Sequence, residues 1–317
     1  MARRPDKLRA MHPLSVFSTG LHDLTWPDAL RWLSEQGVQH LELGCGAYPG
    51  TKFAHAQQLC EDPEGRALLQ SELQAHGITL AALSCHGNPL HPDEDIAALH
   101  RADFEAALEL ASDLEVPVLV GFSGQGGEPG CSIPNWPVAT WPFEYAELRE
   151  WQWEEQVIPY WQPVAARAAE LGVRIALELH GGFAVHSPGS LLRLREACGP
   201  ALCANLDPSH LWWQHIDPVR AIQLLGQAVA HVHLKDTVFN ADALALHGLL
   251  DPTPMDRPQE RAWRFALPGE GHDADTWRAV LKALDDVGYA GVLSIEHEAP
   301  MPPLAGIADT LKFMRSL

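Results

Sequence analysis

Nowhere in the chain do about 18 apolar residues run together, the length a membrane-spanning helix needs. The opening stretch, MARRPDKLRAMHPLSVFSTG, has basic residues but neither the apolar core nor the small-residue cleavage site of a secretory signal. A cytoplasmic location is therefore expected, with no membrane partner. No Cys-x-x-Cys pair occurs either. The six cysteines, Cys45, Cys60, Cys85, Cys131, Cys198 and Cys203, are scattered and read as reduced, mostly buried thiols. One metal-binding or redox cysteine is the alternative. Cationic side chains are scarce: 22 Lys and Arg face 41 Asp and Glu, a net charge of −19. That balance disfavours nucleic acid, where cationic groups supply most of the affinity, although a local basic groove could survive it. Low-complexity segments are absent, and Gly44-Cys45-Gly46 is too short to be the Gly-x-Gly-x-x-Gly loop of a dinucleotide fold.

What is present is a rhythm. Of the 317 residues, 46% are hydrophobic, enough to bury a large core in one large domain or two medium ones. Short, β-branched-rich apolar runs predict strands at 14–18, 40–43, 79–84, 117–121, 174–178, 202–206, 230–235 and 291–296. Amphipathic stretches predict helices at 27–36, 93–112, 144–171, 188–197, 218–226 and 274–287, with a last one at 305–315. Asp217-Pro218 reads as an N-cap followed by a first-turn proline. Gly37, Gly77, Gly172 and Gly288 stand where helices end and strands follow. Eight strands alternating with helices predict an α/β fold, a single (β/α)8 barrel over 1–317. A doubly wound open sheet is the alternative. Two connections are long, at 122–143 and 236–273. Long loops in a compact domain are usually lids or partner surfaces, and the strand–helix rhythm resumes after each.

In a barrel the active site lies at the C-terminal strand ends, and polar residues gather there in this chain. Strand three ends Ser84-Cys85-His86, strand five Glu178-Leu179-His180, and strand six runs into Asp207-Pro208-Ser209-His210. Strand seven carries His231-Val232-His233-Leu234-Lys235-Asp236, and strand eight ends Glu296-His297-Glu298. Any one of these could be a solvated loop residue or a satisfied core histidine. Together they place carboxylates and imidazoles from five strands on one rim, where unpaired buried charge is costly. A divalent cation would neutralise it. Oxygen-rich ligands with one or two imidazoles suit Mn2+, Mg2+ or Co2+, and more imidazole would favour Zn2+.

The pattern resembles the xylose isomerase-like barrels (AP endonuclease family 2). The resemblance rests on Glu after strand five, Asp-x-x-His after strand six, His on strand seven and Glu after strand eight. It spans Val16 to Leu311, and the segments LSCHGNPLHP, NLDPSHLWWQHIDP, HVHLKDT, LPGEGHDADTW and GYAGVLSIEHE resemble the sugar phosphate isomerase/epimerase-like branch. The resemblance implies metal ligands Glu178, Asp207, His233 and Glu296, with Mn2+ as first choice and Mg2+, Co2+ or Zn2+ as alternatives. It implies catalytic roles for Glu178 and Glu296, exchanging a proton beside a keto group through an enediolate. His210 would touch substrate or assist a second metal. Lys235 would stabilise an oxyanion. Arg264, ahead of Gly269-Glu270-Gly271, loosely matches a substrate-binding arginine. His86 and His180 are rim residues without a fixed family role, read as substrate contacts or as structural hydrogen-bonding groups. Trp212, two residues after His210, is the one tryptophan expected beside the site. Glu298 and His231 share strand faces with Glu296 and His233, and only the family pattern selects between them.

The expected function is thus a metal-dependent isomerase or epimerase acting on a small carbohydrate, a keto-sugar or related polyol. A lyase or dehydratase acting on an inosose or 3-keto-glycoside shares the enolate and is the alternative. A non-catalytic sugar-binding barrel would show degraded ligands. The endonuclease IV branch needs further zinc ligands where this chain has Trp263-Arg264-Phe265. Neither substrate phosphorylation nor the interface of a homo-oligomer is legible, although family members often form dimers or tetramers.

Overall fold

The structure, a computed structural model, describes residues 12–317; most of the basic opening stretch, and residues 1–11 of the expected 1–317 domain, lie outside it. All eight predicted strands form. They are β1 (Leu14–Phe17), β2 (His40–Gly44), β3 (Thr79–Ser84), β4 (Val118–Gly121), β5 (Arg174–Glu178), β6 (Leu202–Leu206) and β7 (Val229–Leu234), closed by the last strand of the chain. Two unpredicted strands intervene, β8 (Asp236–Phe239) and β9 (Trp263–Ala266), so the closing strand is β10 (Leu293–Ile295). The barrel closes in the order β1-β10-β7-β6-β5-β4-β3-β2, and every neighbouring pair is parallel.

Helices cover the outside through their apolar faces. Trp26–Glu35 buries Ala29, Leu30 and Leu33, and Ala274–Asp286 buries Trp277, Val280, Ala283 and Leu284. A separate cluster of small side chains includes Ala82, Ala176 and Cys203. These stand two residues before Ser84, Glu178 and Asn205 on the same strand faces, so apolar packing lies directly beneath the polar groups.

The helix expected at 144–171 is interrupted. Phe143–Gln152 passes through a π-helical turn at Trp153–Val157 into Ile158–Leu171. Pro159 and Pro163 lack the N–H of a regular turn, and the extra residue in the π turn accommodates the mismatch. Four helices were not expected from periodicity: Ala56–Glu61, Pro63–Ala75, Pro208–Trp213 and Ala241–His247. Pro63–Ala75 nevertheless carries the signal seen at Asp217-Pro218. Asp62 caps it, accepting from the Gly65 N–H at 2.9 Å, and Pro63 follows.

The first long connection is irregular from 122 to 142, and Phe143 already opens the next helix. The 236–273 connection is not. It holds the antiparallel β8–β9 ribbon and the helix Ala241–His247. Its return is tied to the barrel by Asp236, whose fully buried carboxylate accepts from the backbone N–H groups of Gly269, Gly271 and His272 at 3.0–3.2 Å. It also accepts from His272 Nδ1 at 2.6 Å and Trp277 Nε1 at 3.3 Å. Glycine at 271 is required because a Cβ there would stand 2.0 Å from the Thr237 carbonyl. Removing this carboxylate strands several buried donors. Asp236→Ala is therefore expected to lower stability by about 3–5 kcal/mol. Urea unfolding reads the loss as a lower midpoint, and a change under about 1 kcal/mol would exclude Asp236 as the anchor.

Candidate active site

Glu178 is the last residue of β5, Asp207 follows β6, His233 is near the end of β7 and Glu296 follows β10. Strand order alone brings them together, because β5, β6, β7 and β10 are consecutive neighbours in the barrel wall. One potential ligand atom from each of the four lies within 4.8 Å of the others. His233 Nδ1 stands 3.0 Å from Glu296 Oε2 and 3.3 Å from Glu178 Oε2. Asp207 is held in place by its second task. It caps the helix Pro208–Trp213, Oδ1 accepting from the Ser209 N–H at 2.8 Å, which leaves Oδ2 facing the cluster.

Lys235 is the counter-charge. Its buried ammonium lies 3.0 Å from Asp207 Oδ2, 2.6 Å from Glu296 Oε2 and 2.7 Å from Glu298 Oε2. Burial alone would lower its pKa, but Asp207, Glu296 and Glu298 raise it well above the ordinary lysine value. Burial pushes the Glu296 carboxyl up, yet Lys235 and His233 bring it down to about 2. Glu178 behaves alike: burial opposes ionisation, while His210, His233, His86 and Lys235 hold it well below the usual carboxylate range. At Asp207 burial wins over Lys235 and His210, and the pKa rises. His233 is raised well above an ordinary imidazole, against burial, by Glu42 and Glu296.

The cluster fits a hard divalent cation. Three carboxylates and one imidazole are an oxygen-rich ligand set. Asp207 Oδ2 and His210 Nε2 are buried without an aligned hydrogen bond, although charged atoms lie 3.0 and 2.9 Å away. Buried polar atoms left so point to a missing partner.

Three further histidines ring the site. His86 Nε2 is 3.2 Å from Glu178 Oε2. His210 Nε2 is 2.9 Å from Glu178 Oε1 and 3.6 Å from Asp207 Oδ2. His180 packs on His210 with ring centroids 4.0 Å apart, and its Nδ1 is 2.5 Å from the Gly181 carbonyl. Since a carbonyl only accepts, His180 carries its proton on Nδ1 and leaves Nε2 as an acceptor. His210 has the opposite tautomer. Trp213 Nε1, a donor, meets its Nδ1 at 3.4 Å, so Nε2 carries the hydrogen. That tautomer suits a hydrogen bond to a carboxylate or a substrate oxygen better than a bond to a second metal. Burial lowers the pKa of both rings and keeps them neutral.

The tryptophan expected here was Trp212, but the one in contact with His210 is Trp213, which stacks on Trp263 at 4.6 Å. Trp212 stacks on His272 at 3.7 Å and packs against Trp277, both partners of the Asp236 anchor. The reason is helical. Positions three apart share a face, so His210 aligns with Trp213 once Pro208–Trp213 forms a helix. Arg264 lies on β9 and lines a cavity of about 290 Å³ with Arg261, Phe265 and Glu298. The Phe265 ring lies 4.5 Å beneath Lys235 Nζ and 5.1 Å from His210, so this cavity adjoins the cluster.

One buried carboxylate was missed altogether. Glu42, in the middle of β2, is 0% exposed and touches His231, His233 and Ser84. Its signal was a charged residue between Leu41 and Leu43 in the middle of a strand, a position that demands a partner.

The family model described as xylose isomerase-like TIM barrel matches residues 30–317. A Bacillus subtilis (strain 168) protein, "Uncharacterized protein YfiH", is 35% identical over 307 residues, 95% of this chain and 98% of the relative. The inosose dehydratase of Klebsiella pneumoniae subsp. pneumoniae is 26% identical over 159 residues, 47% of this chain and 48% of its own. A xylose isomerase-like TIM barrel protein from Mycobacterium smegmatis, solved in complex with magnesium, superposes with a TM-score of 0.66. It is 15% identical and covers 96% of each chain.

Proposed function

Because the chain belongs to the xylose isomerase-like TIM barrel family, we propose that it is a divalent-metal-dependent enzyme that moves a proton beside the keto group of a small carbohydrate. Isomerisation or epimerisation of a keto-sugar or related polyol is the first reading. The observation that carries it is the convergence of Glu178, Asp207, His233 and Glu296 within 4.8 Å at the strand ends. These four would hold the cation, Mn2+ by preference. When bound, the cation acts as a Lewis acid on the carbonyl and its neighbouring hydroxyl.

The chain's own groups do the rest. Glu178 and Glu296, ionised at neutral pH, take the carbon-bound proton and return it, to the opposite face of the same carbon in epimerisation or to the neighbouring carbonyl carbon in isomerisation. His210 donates from Nε2 to a substrate oxygen, and Lys235 offsets negative charge developing on the enediolate. Phe17, Phe122 and Phe183 pack against the histidine rings and exclude water from one side. Arg264 and Glu298 line the way in, suiting a polar substrate. A cytoplasmic setting and a role in carbohydrate metabolism belong to the same proposal. No helix among the described residues is long and apolar enough to cross a membrane.

A second reading, dehydration of an inosose or 3-keto sugar, is favoured by the likeness to inosose dehydratase and by Lys235. In that case a glutamate removes the carbon-bound proton, the C–O bond at the next carbon breaks, and protonated Lys235 gives the departing hydroxyl its proton as water leaves.

The test is incubation of metal-loaded enzyme with a keto-sugar and inosose panel in D2O. Deuterium in an epimer or isomer supports the first reading, and product one water lighter supports the second. No exchange and no product from any member, with metal bound, would sink both.

A further inference from the structure

Glu42 lies beneath the four-residue cluster and outside it. β2 carries a register shift against β3 between Leu41 and Glu42, an irregularity of the kind that re-aims a side chain. The Glu42 carboxylate receives His231 Nε2 at 2.8 Å, His233 Nε2 at 3.1 Å on both oxygens, and the Ser84 hydroxyl. A carboxylate accepts only, so each of these atoms must bring a hydrogen. His233 therefore carries hydrogen on Nε2. The opposite nitrogen, Nδ1, faces Glu178 and Glu296 at 3.3 and 3.0 Å, and by the same rule it bears a hydrogen there until a cation takes that place.

We propose that Glu42 is a positioning residue for the metal centre: by accepting the His233 Nε2–H it orients the ring and turns Nδ1, once it gives up its hydrogen, towards the divalent cation. The inference rests on His233 being a ligand, as read above. Outer carboxylates that hold a ligating imidazole in this way fix its tautomer and raise its basicity. Glu42, His231 and His233 are also close enough to hold a cation themselves. Charge decides against that arrangement: one carboxylate stands there, whereas Glu178, Asp207 and Glu296 converge with His233 in the other group and suit a divalent cation better. His231, paired below with Glu42, steadies the carboxylate instead of entering the cluster.

The test is Mn2+ titration of metal-stripped wild type, Glu42→Gln and Glu42→Asp, with 15N spectra of the histidine rings in Zn2+-loaded wild type. Glutamine keeps the volume but presents one acceptor and one donor to two N–H groups. A 10- to 100-fold weaker Mn2+ affinity is expected, the usual effect of losing such a partner. Aspartate keeps two acceptors and should recover part of the loss, which a merely space-filling role would not predict. In Zn2+-loaded wild type, His233 should be coordinated through Nδ1 and protonated on Nε2, a readout that stands even if neither variant folds. Equal affinity of Glu42→Gln and wild type, or coordination through Nε2, overturns the proposal. So does a wild-type stoichiometry of two Mn2+ falling to one in the variant, which would make Glu42 a ligand. Failure of wild type to bind any divalent cation overturns this proposal and the functional reading together.

Discussion

Asp207→Asn is expected to weaken divalent-cation binding by about a thousandfold, roughly 4 kcal/mol, while the barrel stays folded. Asparagine is the informative replacement because Asp207 has two tasks. Its Oδ1 caps the helix Pro208–Trp213, and asparagine caps about as well. What asparagine loses is the charge at Oδ2, the buried atom that faces Lys235 without an aligned hydrogen bond. In its place stand amide hydrogens directed at an ammonium and an incoming cation. Alanine would remove the cap as well, adding about 1 kcal/mol of destabilisation and blurring the result. Calorimetric titration of metal-stripped protein measures the effect, and a thermal melt controls for folding. Affinity within about threefold of wild type would remove Asp207 from the ligand set.

The second large effect separates two neighbours. Glu296→Gln is expected to lower kcat by about 10³-fold at saturating Mn2+, whereas Glu298→Gln should change it by less than about tenfold. β10 ends at Ile295, so strand alternation no longer decides which of the two faces the site, and Lys235 contacts both. Their surroundings differ. The Glu296 side chain is 13% exposed and meets His233 and Lys235, and these hold its carboxyl near 2. The Glu298 side chain is 45% exposed and its bond to Lys235 is open to solvent screening. A glutamine at 296 cannot accept the substrate proton and turns amide hydrogens towards cations. Steady-state rates of both variants on the substrate found in the exchange panel decide the matter. An inactive Glu298→Gln beside an active Glu296→Gln would move the catalytic role to Glu298.

The residues of the candidate site divide by how their neighbours are chosen. Glu178, Asp207, His233 and Glu296 were legible because each ends or nearly ends a strand, and consecutive strands in a barrel must present those ends on one rim. Glu42 was not legible as part of the site. Its partners His231 and His233 are 189 and 191 residues away in sequence, across the barrel interior, and periodicity carries no information about which interior side chains meet. Trp212 was expected beside the site from its place two residues after His210, but the six-residue helix puts Trp213 on the His210 face instead. The β8–β9 ribbon escaped notice because its stability comes from the Asp236 anchor and the Trp213–Trp263 stack, both tertiary.

By itself, then, the order of apolar runs, helix-ending glycines and strand-end carboxylates determined the barrel and the rim on which its chemistry lies. Those are local signals with a period, and a closed parallel barrel is the arrangement that satisfies all of them. Only the tertiary structure decided which nitrogen of each site histidine meets which partner, which tryptophan stands beside the site, and that a buried glutamate lies beneath His233. These depend on donors meeting acceptors across the barrel, where an unpaired buried group is costly and a single partner fixes the orientation.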